Sequence, residues 1–247
     1  MKRSEVVRWS LGLLCSVLFV SCATEALPQG SEHVELDPSE FTTDIDNPYW
    51  PMAVGTRWVY RETDAEGKEQ RVEVVVTGRT KRIANGVVAR VVRDTVTEDG
   101  VPVEVTDDWY AQDAEGNIWY LGEATTEYED GKPVSTKGSF EAGRDGAEPG
   151  IIMPAEPAPG MRYRQEYYRG EAEDRGEIVA VGEQAEVRAG HFRNVVITKD
   201  TNPLEPKVLE LKFYARGVGP VLAIGVSGSS DREELVSFVK ARPRAPR

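Results

Sequence analysis

Apolar and polar residues alternate with a period of two along most of the chain from residue 56 onward. Val72, Val74 and Val76 share one face of an extended segment, and Arg71 and Glu73 share the other. Asp-Gly and Asn-Gly pairs separate such segments and are strong signals for tight hairpin turns. The pattern predicts strands over residues 56–62, 70–79, 87–97, 101–111 and 118–129.

A second block of alternating segments lies between residues 162 and 240. No segment sustains helical spacing of apolar residues, so little helix is expected. The segment 87–96 carries valine and charge on both faces, which suits a sheet that curves back on itself. We therefore predict that residues 47–240 form a single all-β domain, an antiparallel meander in a strongly curved sheet with a barrel-like or half-barrel shape. Strands in the second block are expected near residues 162–169, 176–182, 185–189, 194–200, 207–214, 220–227 and 234–240.

The segment between the two blocks, residues 143–160, contains four prolines, four glycines and the apolar run Ile151-Ile152-Met153. Its composition predicts a long crossover loop without regular structure. The apolar run either plugs one end of the sheet or belongs to a lid or binding loop, because long ordered loops are often functional.

The first residues have the pattern of a secretory signal peptide over residues 1–21. A basic start is followed by the apolar run Leu11–Val20, which is too short to span a bilayer. The run ends in Leu18-Phe19-Val20-Ser21-Cys22, which resembles a bacterial lipobox and predicts lipidation of Cys22. The alternative is ordinary signal cleavage with no role for Cys22.

Residues 22–46 are polar and acidic and are expected to form a lipidated N-terminus and flexible tether, with a reach of roughly 25–30 Å. The last residues, 241–247, are expected to be a disordered basic tail. Together these features predict a location in the bacterial cell envelope with a lipid anchor in a membrane. The residue after Cys22 is Ala23 and not Asp, which favours sorting to the outer membrane, where the protein would face the periplasm or the surface.

The charge of the 247-residue chain narrows the classes of partner. Lys and Arg total 30 against 42 Asp and Glu, for a net charge of −12. Such a body repels phosphate backbones, so nucleic acid is not an expected partner. Cysteine occurs only at Cys15 and Cys22, so the predicted domain has no cysteine for a disulfide, a zinc site or a nucleophile.

Recognisable catalytic chemistry is sparse. The two histidines are His33 and His191, and His33 lies in the predicted tether. The run 225–229 (GVSGS) departs from the G-x-S-x-G nucleophile motif at its last position, and there is no phosphate-binding glycine loop. We therefore expect no catalytic residue, metal site or cofactor, although an enzyme is not ruled out.

Among the residue types considered, the aromatic residues are the strongest candidates for a binding site. The pairs Trp109-Tyr110 and Trp119-Tyr120 flank one predicted hairpin. They either pack a solid core or line a cavity inside the curved sheet, with Glu166 or Arg164 as a polar contact. The candidate ligand-binding residues are Trp109, Trp119, Glu166, Tyr168, Ile152 and Met153.

Five short motifs resemble those of a family of bacterial secreted proteins and lipoproteins of unknown activity. They are DNPYWP at 46–51, GTRWVY at 55–60, DWYAQD at 108–113, GNIWY at 116–120 and YARGVG at 214–219. The resemblance covers nearly the whole predicted mature chain. It implies a fold and a location and carries no activity.

The leading functional hypothesis is a non-catalytic envelope binding module for an apolar or amphipathic ligand. The alternative is a structural or interaction lipoprotein with a solid core, which docks an envelope protein through its acidic surface or through residues 151–153. A hydrolase is the least favoured alternative. The presence or absence of a cavity within the sheet discriminates between the first two.

Overall fold

The fold is all-β, as the alternation predicts. The computed structural model describes residues 26–241, and within this range there are fifteen strands, one short 3-10 turn (Pro38–Glu40) and no α-helix. The strands are β1 (Arg57–Thr63), β2 (Glu69–Arg82), β3 (Val88–Glu98), β4 (Val101–Gln112), β5 (Ile118–Glu129), β6 (Lys132–Ser135), β7 (Phe140–Glu141), β8 (Glu148–Met153), β9 (Arg162–Arg164), β10 (Glu166–Tyr167), β11 (Arg175–Val187), β12 (Gly190–Thr201), β13 (Leu209–Ala215), β14 (Gly219–Ser227) and β15 (Arg232–Val239).

The strands form one antiparallel sheet that curls into a nearly closed barrel. The order is β10-β8-β5-β4-β3-β2-β1-β15-β14-β13-β12-β11-β9, with β6 and β7 paired to β5. The first strand, β1, pairs with the last, β15, and joins the two meanders. The two ends of this order, β10 and β9, are separated along the chain by Gln165 alone, so they meet at a seam.

The hairpin turns explain why the meander forms where the sequence indicates. Asp99 and Gly100 join β3 to β4 with φ angles of 48° and 82°. Asp130 and Gly131 join β5 to β6 with φ angles of 50° and 71°. Two successive residues at positive φ are the geometry of the type I′ turn, whose twist matches that of paired strands. These short-range signals therefore fix the register of both hairpins.

The prediction of a loop over residues 143–160 is wrong at Glu148–Met153, because these residues form β8. This strand pairs with β5 on one side and with β10 on the other. Ile151 and Met153 are fully buried. The proposed docking role for residues 151–153 is therefore also wrong, because this run is part of the barrel wall.

The prediction of a flexible tether over residues 22–46 is wrong for residues 26–46, because this segment packs on the barrel. Ile45 is only 3% exposed, and four further apolar side chains of this segment contact the core: Leu27, Val34, Leu36 and Phe41. Burial of these apolar side chains supplies the attraction that holds an otherwise polar segment in place. The predicted signal peptide, Cys22 and the tail from residue 242 onward lie outside the described residues.

The side chain of Arg164 ties this N-terminal segment to the seam. Arg164 is 1% exposed, and its Nη1 donates to the carbonyl oxygens of Gly30 and Glu32 at 2.5 and 2.8 Å. Its Nε donates to the Pro149 carbonyl at 3.0 Å. Arg164 therefore holds β8, β9 and the N-terminal segment together and does not line the cavity described below.

Several motif residues have a clear structural role. The Asn47 side chain donates to the carbonyl oxygens of Gly116 and Pro154 at 2.9 and 3.2 Å, and joins three distant segments. The Asp113 carboxylate accepts from the Trp119 indole Nε1 at 2.7 Å and from the Asn117 side chain at 2.8 Å. These contacts give the amide of Asn47, the carboxylate of Asp113 and the indole of Trp119 defined partners in the fold.

Candidate ligand-binding cavity

A cavity of about 460 Å³ lies inside the barrel. Residues two apart on one strand recur in its lining, for example Val92 and Asp94 on β3 and Lys212 and Tyr214 on β13. This spacing places both side chains on the same face of the sheet. The cavity falls within the range of roughly 300–1,000 Å³ that is usual for small-molecule sites.

Aromatic rings form one part of the cavity wall. Trp50 stands between Tyr110 and Tyr214, with ring centroids 5.6 and 5.8 Å away. Tyr110 in turn stacks on Tyr120 at 5.0 Å. Tyr60 also lines the cavity. Rings at these distances hold one another in fixed orientations, so the wall is preformed.

Carboxyl groups form most of the polar lining. The lining acids are Asp94, Asp108, Glu123, Glu166, Glu171, Asp174 and Glu233. Among the described lining residues, Lys212 is the single basic side chain. Its Nζ lies 3.1 Å from Asp200 and 3.2 Å from Glu210, two acids that do not line the cavity. The lining therefore has a surplus of acidic groups.

Tyr120 shows that part of this surplus must be protonated. Its hydroxyl lies 2.8 Å from Asp108 Oδ1 and 2.7 Å from Glu123 Oε2. A phenol has one hydrogen to donate, so the second contact needs a proton from a carboxyl group. Burial raises the pKa of Asp108 well above its ordinary value and also raises the pKa of Glu123, which is the direction this contact requires.

Glu166 and Asp174 form a second carboxyl pair in the cavity, and the Glu166 backbone N–H donates to the Asp174 carbonyl oxygen at 3.4 Å. Burial, followed by the charge of Asp174, raises the pKa of Glu166 well above its ordinary value. Burial also raises the pKa of Asp174. Two carboxyl groups so placed share a proton more readily than they both ionise.

Asp94 is the acid that the fold satisfies least. Its Oδ1 atom is buried and has no hydrogen-bond partner among residues 26–241. Burial and the charge of Glu233 raise the pKa of Asp94 to about 8. Burial likewise raises the pKa of Glu233 to about 7, so both groups change charge near neutral pH.

The structure divides the six candidate binding residues among three places. Glu166 and Ile152 line the cavity. Trp109 and Tyr168 line a second pocket of about 290 Å³ together with Phe140. Trp119 and Met153 are buried and line neither space.

The two tryptophans have partners other than the main cavity. Lys81 Nζ lies 4.4 Å from the centroid of the Trp109 ring, at a distance typical of a cation–π contact. Trp119 packs edge-on against Phe41 of the N-terminal segment, with ring centroids 6.1 Å apart. The neighbours of these tryptophans in sequence, Tyr110 and Tyr120, line the cavity instead.

The sequence context favours none of these acids as a binding residue, apart from Glu166. Carboxylates are numerous in this chain, and only the fold brings seven of them to one cavity. The usable signal was their position in strands, since Asp94 and Asp108 fall at sites where alternation with valine or tyrosine points a side chain inward. Within residues 26–241, no group of three or more possible metal-ligating side chains has a geometry that could hold a metal ion.

The fold and the cavity thus define an antiparallel barrel with an aromatic and acidic interior. No protein-family model matches the chain, and no curated protein matches it in sequence. Two solved structures are similar to it. One is a candidate lipoprotein from Parabacteroides distasonis, 13% identical, with a TM-score of 0.42 over 77% of this chain and 98% of that one. The other is a β-barrel-like protein of a domain of unknown function from Brucella abortus, 16% identical, with a TM-score of 0.36 over 75% of this chain and 97% of that one.

No helix within the described residues combines the length and the apolar character needed to cross a membrane.

Proposed function

We propose that this protein is a lipid-anchored binding protein of the bacterial cell envelope, and that its barrel holds an amphipathic small molecule. The observation that carries the proposal is the 460 Å³ cavity. A scaffold with a solid core has no need of such a space, and filling it with side chains would stabilise the fold. The cavity therefore favours the binding hypothesis over the structural alternative.

The lining supports an amphipathic ligand more than a purely apolar one. Val74, Val92 and Leu222 offer aliphatic surface beside the aromatic wall, while carboxyl groups supply polar contacts. A wholly apolar ligand would separate those carboxyl groups from water without replacing its hydrogen bonds, which is costly. A ligand with a polar end avoids that cost.

The proposed location rests on the N-terminal sequence. The pattern of the signal peptide and of the lipobox ending at Cys22 supports export and acylation. A second acyl chain on the same residue would make attachment stable, since one chain alone binds membranes only weakly.

Titration with the fluorescent arylamine N-phenyl-1-naphthylamine tests the binding role. We expect the purified protein to bind this probe at a single saturable site. Ala223→Trp, which adds a ring to the cavity lining, should weaken binding at least tenfold. Val226→Trp adds the same ring at a half-exposed position on β14 outside the lining and should leave binding unchanged.

Thermal melts identify any variant that fails to fold, and Val74→Phe provides a second, smaller obstruction of the cavity. Absence of probe binding by the parent protein would contradict the proposed function. Equal binding by the parent and by folded Ala223→Trp would place the probe elsewhere and also contradict it.

A further inference from the structure

Resting on the proposed function, we infer that the ligand is an organic cation: an ammonium or quaternary ammonium group on an apolar chain, with the positive group between Asp94 and the aromatic wall. The cavity combines the three features that such a ligand needs. It has an unpaired buried carboxyl oxygen, a surplus of acids and a preformed set of rings.

The unpaired oxygen gives the ligand a specific contact. Buried polar atoms in folded proteins nearly always have a partner, so an exception in a cavity calls for an explanation. Asp94 lies on β3 opposite Val74 of β2, and both residues line the cavity. An ammonium N–H placed there would donate to Asp94 Oδ1, whereas a quaternary ammonium group could form only an ion pair with the carboxylate.

The excess of acidic over basic side chains in the lining favours a positively charged ligand. The one basic side chain of the lining, Lys212, already contacts Asp200 and Glu210. An anionic ligand would find no free cation in the lining and would raise the pKa values of the neighbouring carboxyl groups further. A cationic ligand instead favours their ionised form, which then neutralises its charge.

The aromatic wall suits the same class of ligand. The Trp50 ring lies within 6 Å of the rings of Tyr110 and Tyr214, and all three residues line the cavity. Cations bind to aromatic faces, tryptophan most strongly, and groups of such rings recognise quaternary ammonium ligands. An apolar chain would then contact Val74, Val92 and Leu222.

Proton release provides a second signature. The groups that act most strongly on Asp94 from the surrounding strands are acids and phenols: Tyr60 and Glu62 of β1, Glu104, Asp108 and Tyr110 of β4, and Glu233 of β15. Lys212 of β13 lines the same cavity and lies beside Asp200 and Glu210. Because Asp94 has a pKa of about 8, it is mostly protonated at pH 7. A bound cation favours the ionised carboxylate, so binding should displace a proton.

The test compares two ligands that share a chain and differ in charge: decylammonium, whose N–H groups can donate to Asp94, and decyl sulfate, each below its micelle concentration. Isothermal titration calorimetry at pH 7 should give at least tenfold tighter binding of the cation. Titrations in two buffers of different ionisation enthalpy should show net proton release. Asp94→Asn should weaken cation binding at least tenfold and reduce that release, whereas Asp99→Asn in the exposed β3–β4 turn should change neither.

The outcomes separate this inference from the proposed function. Equal binding of both ligands, or tighter binding of the sulfate, would overturn the cation and leave an amphipathic binding protein. Cation binding without proton release, or unchanged in folded Asp94→Asn, would also overturn the assignment to Asp94. Binding of neither ligand by a parent protein that also fails to bind the arylamine would contradict the proposed function itself.

Discussion

Asp94, a half-buried residue with a buried carboxyl oxygen, links the cavity to the stability of the whole fold. Its pKa is about 8 in the folded protein, against 3.8 for the free carboxyl group. Between these values the folded state binds a proton that the unfolded state releases. The free energy of unfolding therefore falls as pH rises through this interval. Glu233, with a pKa of about 7, acts in the same direction from about pH 4.5 to 7.

The unliganded protein should consequently melt at a lower temperature at pH 8.5 than at pH 5.5. The expected difference is on the order of 10 °C, because each unit of pKa shift corresponds to about 1.4 kcal/mol and each kcal/mol to about 2–4 °C in a domain of this size. Asp94→Asn should reduce the difference, and calorimetric melts across the pH range measure it. A melting temperature that is unchanged or rises between these pH values would contradict the prediction.

Carboxylates that pair with arginines limit the stability of the fold at low pH. Hydrogen bonds and ion pairs from Arg79 and Arg93 lower the pKa of Asp107 against the opposing effect of its burial, and Arg188 and Arg232 do the same for Glu234. These groups stabilise the fold above their unfolded pKa values, and that stability is lost as pH falls through the lowered values. Maximum stability is therefore expected in mildly acid solution.

The two Trp-Tyr pairs mark the limit of what the sequence predicts for the site. In each pair the two residues are adjacent in a strand, so the sequence predicts that one points into the sheet's interior and the other points outward. It does not show which member faces the cavity, because the pairing of β4 with β5 shifts between Asp108 and Tyr110. Such a bulge changes which residues of the two strands oppose each other. Tyr110 and Tyr120, and not the tryptophans, consequently form the wall.

At the level of elements, closure of the barrel depends on a close approach at Gly150 of β8. A Cβ atom at this position would lie 2.3 Å from the carbonyl oxygen of Gln165, the residue that separates β9 from β10. No side chain fits there without moving one backbone away from the other. Gly150 therefore permits the contact between β8 and the seam.

Gly150→Ala should destabilise the fold by about 1–3 kcal/mol, the range found for overpacked sites. Gly78→Ala is the matched control, because its added Cβ would meet only Val54 at 3.8 Å and its φ is not positive. Urea denaturation of both variants measures the difference. Equal midpoints for Gly150→Ala and the parent protein would contradict the role assigned to this glycine.

Elements formed by residues close together in sequence can be predicted, whereas elements that depend on distant residues cannot. The hairpins from β1 to β5 depend on local turn residues and alternation, and their predicted bounds agree closely with the structure. The prolines and glycines of residues 143–160 predict a loop, and only pairing with β5 and β10 makes Glu148–Met153 a strand. The packing of residues 26–46 depends on partners such as Arg164, more than a hundred positions away.

At the scale of the whole molecule, the proposed anchor can be tested by removing Cys22. Cys22→Ala should move the protein from the membrane fraction to the aqueous fraction, since the acyl chains would supply the attachment. Cell fractionation with immunoblotting measures the shift, and mass spectrometry of the N-terminal peptide of the parent protein detects the lipid. Unchanged membrane association of the variant, together with an unmodified parent peptide, would contradict the anchor.

The packed N-terminal segment determines how far such an anchored barrel can travel. Three residues separate Cys22 from Ala26, the first described position, so the connection spans at most about 15 Å. The segment then joins the barrel at the seam, where the Pro28 carbonyl accepts from the Arg164 backbone N–H at 2.6 Å, beside Gln165 and Glu166 of the cavity lining. A barrel held on so short a connection would remain at the surface of its own bilayer. Its ligand would then pass directly between that bilayer and the cavity, because the barrel could not move across the periplasm to another membrane.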